Sequence, residues 1–164
     1  MRRFDEIDLR ILTELQRDGR ITFQHLAQIV GLSPRPCLER VRRLEREGVI
    51  TGYTARVDVT HFANTVIVIA QILVRQGRDI RGRFEQRMHS CTEVVECFEV
   101  SGAFDYIAKV VCPSIDSYRE LTDAWINDTA MHVERIESHV VLRPAKDDEV
   151  YPVAIAEPQS GATG

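Results

Sequence analysis

The stretch LSPRPCLERVRRLEREG, residues 32–48, decides how the first third of the chain is read. Ser33 suits an N-cap, and Pro34 the first helical position, where a missing N–H costs nothing. Pro36 still falls within the first turn, whose donors have no intrahelical partner. Gly48 suits the left-handed residue just past a helix end. At 100° per residue, Leu38, Val41 and Leu44 share one apolar stripe. Arg35, Glu39, Arg42 and Arg46 follow i, i+4, i+7 and i+11 on another, with Arg43 beside it. This helix has one side to bury and one arginine side to offer.

Upstream lie two more helical patterns. Ile7, Ile11, Leu12 and Leu15 form an apolar stripe that Asp18 and Gly19 end. The next starts at Thr22 as N-cap, carries Leu26, Ile29 and Val30, and stops at Gly31. Only Gly31, Leu32 and Ser33 separate helices two and three, which leaves room for a tight turn alone. Ala27 supplies a small residue where the two helices cross, and Gly31 tolerates positive φ at the bend. This is a helix-turn-helix pattern with helix three in the recognition position. The following VITGYTARV alternates and turns at Gly52, as a short β-wing would.

Downstream the period changes. TVIVIAQILV (65–74) is a β-rich run, and Ile80, Phe84 and Met88 mark a helix over 79–90. VVECFEVS (94–101) and DYIAKVV (105–111) are strands joined by a short glycine turn. Ile115, Tyr118, Leu121 and Trp125 fall on one face of a helix over 114–128, and VERIESHVVL (133–142) is a last strand. The order βαββαβ predicts a four-stranded antiparallel sheet with two helices on one face, the ferredoxin-like arrangement, and an α+β chain overall. Domains are expected at 1–60, 61–150 and 151–164, the last an edge strand (VYPVAIA) and a loose polar end. Two helices cover one face of such a sheet, yet the run 65–74 is apolar on both. A second copy of the sheet is the economical cover, the DNA-binding domain the other candidate.

Composition removes whole classes of function. With 44% apolar and 28% charged residues the chain is built to fold, and no window approaches 18 uncharged apolar residues. The start MRRFDEIDLR has acids where a signal peptide needs an apolar core, so a cytoplasmic location is expected. Cys37, Cys91, Cys97 and Cys112 form no CxxC pair, and the five His show no ligand spacing, so no metal is expected. No nucleophile motif, phosphate loop or dinucleotide fingerprint points to an enzyme. Net charge is −4, but residues 1–60 hold 11 Arg against 9 acids, whereas residues 61–164 hold 10 basic residues against 16 acids. Such asymmetry suggests that the first part meets a polyanion and the second does something else.

IDLRILTELQRDGRI (7–21), GLSPRPCLERVRRLEREGVITGYTA (31–55) and VSGAFDYIAKV (100–110) resemble the Lrp/AsnC family of transcription factors, over roughly residues 4–142. The resemblance implies a winged helix-turn-helix domain followed by a βαββαβ ligand-sensing domain. It also implies double-stranded promoter DNA as a partner, homodimers paired through the sheet and often assembled into octamers, and no cofactor beyond an amino-acid effector held between sensing domains. Two rivals share parts of this plan: a ligand-free nucleoid-organising protein, and a tetrapyrrole decarboxylase on the same fold. An enzyme would have no use for the intact arginine stripe.

The candidate DNA contacts are Ser33, Pro34, Arg35, Glu39, Arg40, Arg42, Arg43 and Arg46. Arg35, near the helix start, is placed to fork onto a guanine, while Arg42, Arg43 and Arg46 suit phosphates. Glu39 either accepts from a cytosine amino group or holds Arg43; Arg40 is a further phosphate candidate. Gln24 and His25 either reach the DNA backbone or are simply solvated. The second constellation is the turn in VSGAFDY, where a glycine exposes backbone groups and Asp105 offers a countercharge. The resemblance implies that Val100, Ser101, Gly102 and Asp105 line the effector site, with His139 and Val140 from the last strand. Ala103 and His139 depart from close relatives, which carry a polar or acidic residue and a Tyr there.

Overall fold

The computed structural model describes residues 4–57, 61, 65–75, 77–146 and 150–153. It divides into two compact units, Met1–Arg56 with Lys146–Gly164, and Val57–Ala145.

The first unit is built on three helices, α1 (Glu6–Arg17), α2 (Phe23–Val30) and α3 (Pro34–Arg46). Asp5 caps α1 in a reciprocal box with Asp8, and Thr22 caps α2 by accepting from the His25 N–H. The α2–α3 bend turns on Gly31 at φ 75°, where Leu32 N–H reaches back 2.8 Å to the Ala27 carbonyl. A side chain at that φ would strain the backbone, so glycine sets the tight turn. Ile11, Leu26, Ala27, Val30, Cys37, Val41 and Leu44 close the core. Cys37 takes the place expected of Leu38, which is half-buried and stands outside this cluster. Residues 51–57 form no strand, so the expected β-wing is not drawn as a ladder among the described residues.

The tail returns to this unit. Tyr151 N–H donates to the Gln16 side-chain oxygen at 2.7 Å, the Gln16 amide donates back to the Tyr151 carbonyl at 3.2 Å, and Val153 packs against the helical core. Tyr151 to Val153 therefore makes no edge strand: its backbone groups pair with one side chain of α1. Residues 154–164 of that expectation lie outside the described residues.

The second unit runs β1 (Val66–Val74), α4 (Arg78–Ser90), β2 (Val94–Glu99), β3 (Tyr106–Cys112), α5 (Ile115–Asn127) and β4 (Val133–Val140). The strands form one antiparallel sheet in the order β2-β3-β1-β4. Strand alternation sends Val68, Ala70, Ile72 and Val74 with Tyr106, Ala108, Val110 and Cys112 to the helical side. Phe84 and Met88 of α4 and Tyr118 and Trp125 of α5 close over them, and the Phe84 and Tyr106 rings lie 4.5 Å apart. Ile115, expected on this face, is the first residue of α5 and is exposed. The opposite face carries Ile67, Ile69, Leu73, Ile107, Val111 and Phe98, none of them fully buried within the unit.

Candidate nucleic-acid interface and effector site

On α3 the arginines divide into two groups by angle. Counting about 100° per residue from the buried Val41, residues Arg42, Arg35, Arg46 and Glu39 fall in an arc of about 60° opposite the core. Their side chains face solvent: Arg35 is 90% exposed and reaches Glu39 only loosely, Nε to Oε1 3.4 Å. Arg42 and Arg46 make no ion pair or hydrogen bond among the described residues. Glu39 thus leans toward Arg35, not toward Arg43. Ser33 stands at the N-cap, yet its hydroxyl makes no capping bond. Pro36 occupies N3, one of the two positions whose N–H such a hydroxyl normally receives, so the group stays open. Pro34, at N1, completes this exposed start.

Arg40 and Arg43 sit elsewhere. Arg40 Nη1 donates to Asp5 at 2.6 Å and to Asp8 at 2.8 Å, and Arg43 Nη2 donates to the other Asp8 oxygen at 2.5 Å. The Asp8 carboxylate is almost wholly buried, so the two guanidinium groups neutralise it and tie α3 to α1. The bond from Arg40 holds the Asp5 carboxyl below its ordinary range, and the acids in turn raise Arg40. Arg43 Nε is buried with no hydrogen-bond partner, so this side chain is drawn inward. Arg40 and Arg43, expected to face phosphates, are held by these pairs to the acids of α1. Sequence reasoning passed over Asp5 and Asp8, although a signal was present. Asp8 falls at the middle of the Ile7–Ile11–Leu12–Leu15 stripe, and an acid on an apolar face needs a buried cation. Gln24 and His25 lie exposed at the start of α2.

The turn between β2 and β3 keeps its apex, Ser101–Gly102–Ala103, exposed, with Gly102 at φ 131°. A Cβ at Gly102 would meet nothing within 4 Å, so glycine is required there by the backbone and not by a neighbour. Val100 N–H donates to the Asp105 carbonyl at 2.8 Å, and Asp105 N–H to the Ile72 carbonyl at 3.0 Å. The Asp105 carboxylate accepts from Val74 N–H at 3.0 Å and lies 3.8 Å from Arg81, which also donates to Glu99. Asp105, expected to offer a countercharge, is thus engaged with the end of β1 through one carboxylate oxygen. Beside the turn, the Arg135 guanidinium lies 5.4 Å from the centre of the Phe104 ring, a contact the sequence reading did not find.

Val100, Ser101, Gly102 and Asp105 are brought together; His139 and Val140 are not brought to them. His139 pairs with Ile69 and Val140 with Val68, whereas the turn meets β1 at Ile72 and Val74. Three residues of strand span about 10 Å, and His139 and Val140 point to opposite faces of the sheet. One protomer does not assemble all six residues into one lining. Among the described residues no group of His, Cys, Asp or Glu is arranged to hold a metal, and no helix is long and apolar enough to cross a membrane.

Residues 4–51 match a model of the winged helix-turn-helix DNA-binding domain, and residues 67–151 match the Lrp/AsnC ligand binding domain. The chain is 43% identical over 136 residues to leucine-responsive regulatory proteins of Klebsiella pneumoniae and Escherichia coli, covering 79% of this chain and 83% of theirs. An AsnC family transcriptional regulator from Agrobacterium tumefaciens superposes with a TM-score of 0.85 at 28% identity, over 94% of this chain and 100% of that one. A Neisseria meningitidis transcriptional regulator in complex with L-Met gives a TM-score of 0.82 at 27% identity, over 92% and 97%.

Proposed function

The chain belongs to the Lrp/AsnC family of DNA-binding transcriptional regulators, and from that membership we propose that it reads promoter DNA through α3 and answers to an amino acid. The observation that carries the first half is the solvent-facing arc of Arg35, Glu39, Arg42 and Arg46 on the second helix of the helix-turn-helix. Arg35, at the helix N-terminus, meets a base edge, with Ser33 and Pro34 bringing the helix start close; Arg42 and Arg46 meet phosphates and set register. Arg40 and Arg43 position the helix.

The effector reading rests on the turn. Its exposed backbone N–H and C=O groups, bare of a side chain at Gly102, suit the carboxylate and ammonium of an amino acid; Asp105 fixes the turn rather than the ligand. The methionine bound by the Neisseria relative supports this ligand class. His139 and Val140 join the site from a second copy, which answers their distance from the turn within one protomer. Pairing is proposed through the sheet face of Ile67, Ile69, Leu73, Ile107, Val111 and Phe98, the last 57% exposed, giving a homodimer that assembles further, to an octamer in the family's manner.

A gel shift on the gene's own upstream DNA, with each of the twenty amino acids added in turn, tests the reading. A shift that one or a few amino acids strengthen or weaken is expected. No shift on that DNA, or a shift indifferent to all twenty, rejects the corresponding half.

A further inference from the structure

α3 carries five arginines, and two of them are turned away from its solvent arc by acids of α1. Arg43 lies only about 40° beyond Glu39 around the helix and borders the face that meets DNA, while Arg40 lies about 100° beyond it, on the flank toward the core. Asp8 stands in the middle of the α1 apolar stripe, 1% exposed, and its two oxygens take one guanidinium each. Asp5 holds Arg40 a second time. The Arg43 Nε is itself buried, so the inner part of that guanidinium lies away from solvent.

Sequence-blind affinity for a duplex comes almost wholly from cations on phosphates, each adding about 0.9 to the salt slope. Cations withheld from phosphates therefore weaken binding to every sequence, while base-edge contacts keep their full discrimination. We propose that Asp5 and Asp8 are specificity-determining residues of the DNA interface: they sequester Arg40 and Arg43 against α1, so that α3 meets DNA with Arg35, Arg42 and Arg46 as its only cations. The inference rests on the reading of α3 as the recognition helix. Asp8 touches no DNA in this account; it is a positioning residue that acts through two arginines.

The test measures affinity of the full chain for a random-sequence duplex and for its upstream site, as a function of salt. Arg40→Gln and Arg43→Gln should leave the salt slope unchanged, since neither cation neutralises a phosphate, and each variant leaves the Asp8 carboxylate one guanidinium. Arg42→Gln and Arg46→Gln should each lower the slope by about one unit. Asp8→Asn should steepen the slope by about one unit, because Asp5 still holds Arg40 and only Arg43 is freed, and should raise random-sequence affinity by roughly five- to tenfold at about 0.1 M salt, with a smaller specificity ratio. A loss of fold alone leaves the salt slope of the folded fraction where it was, so instability does not mimic these results. Should Asp8→Asn fail to fold, the two Arg→Gln variants decide. A slope lowered by a full unit in Arg40→Gln or Arg43→Gln overturns the proposal. If Arg35→Ala, Arg42→Gln and Arg46→Gln all bind like the parent, it is the recognition-helix reading that has failed, and the sequestration idea falls with it.

Discussion

The recognition helix and the β2–β3 turn are both exposed and both proposed to bind, yet they offer opposite things. α3 offers side chains: its backbone is closed by helical hydrogen bonds, and Arg35, Glu39, Arg42 and Arg46 project from one arc. The turn offers backbone: the side chains of its apex, Ser101 to Ala103, are small, Gly102 has none, and the one acid, Asp105, is engaged with the end of β1. A side-chain surface is changed residue by residue, whereas a backbone surface fails when its conformation fails. The two sites also lie in separate compact units, so each should be damaged without the other.

The largest expected effect tests that separateness. Leu44 is fully buried in the helical core, and Leu44→Ala should cost about 2–5 kcal/mol by leaving a cavity. Calorimetry should show the transition of the first unit moving down while that of the sheet unit stays put. Effector binding should survive at temperatures where DNA binding is lost. One merged transition shifting as a whole would join the two units into a single cooperative structure and end the comparison.

Next come the side chains themselves. Arg35→Ala should cost about 1–3 kcal/mol and relax preference at one base position per half-site, read by competition among single-base variants of the site. Arg46→Ala should weaken all sequences alike. Equal losses on all sequences for both variants would make Arg35 another phosphate contact. The backbone site gives a different signature. Gly102→Ala must hold a side chain at φ 131°, a strain of about 1–3 kcal/mol, although no atom stands in its way. It should abolish the response to the amino acid while DNA affinity without effector stays normal. A variant that binds effector as before would move the site away from this turn.

The same contrast explains what the sequence made legible. Every helix and every sheet strand lies within about two residues of its expected place, because apolar periodicity and caps such as Thr22 and Ser114 are local signals. The solvent arc of α3 was legible for the same reason. The fate of Arg40 and Arg43 was not: it depends on acids more than thirty residues away, and a helical wheel of α3 alone cannot show them. Asp8 was the clue, an acid among isoleucines and leucines. At the turn, spacing brought Val100 to Asp105 together, but the engagement of Asp105 with Val74 N–H and the distance of His139 follow from sheet register. Register is a pairing between strands, and one strand's sequence does not contain it.

The smallest expected effect concerns the acid that holds Arg40 at the edge of the α3 surface. Asp5 is stabilised as a carboxylate chiefly by the Arg40 hydrogen bond, so its folded pKa lies below the unfolded value, near 3.8. A depressed carboxylate pKa contributes stability that is fully present above about pH 4–5 and is lost as pH falls through the folded value. Asn is as good an N-cap as Asp, so Asp5→Asn keeps the start of α1 and removes only the charge. Because half of the Asp5 side chain faces water, the difference at pH 7 should stay below about 1 kcal/mol. Urea midpoints of the first unit should therefore separate slightly for the two proteins at pH 7 and converge by about pH 2–3. A gap that persists in acid would mean that the cap geometry, and not the ion pair with α3, is what Asp5 supplies.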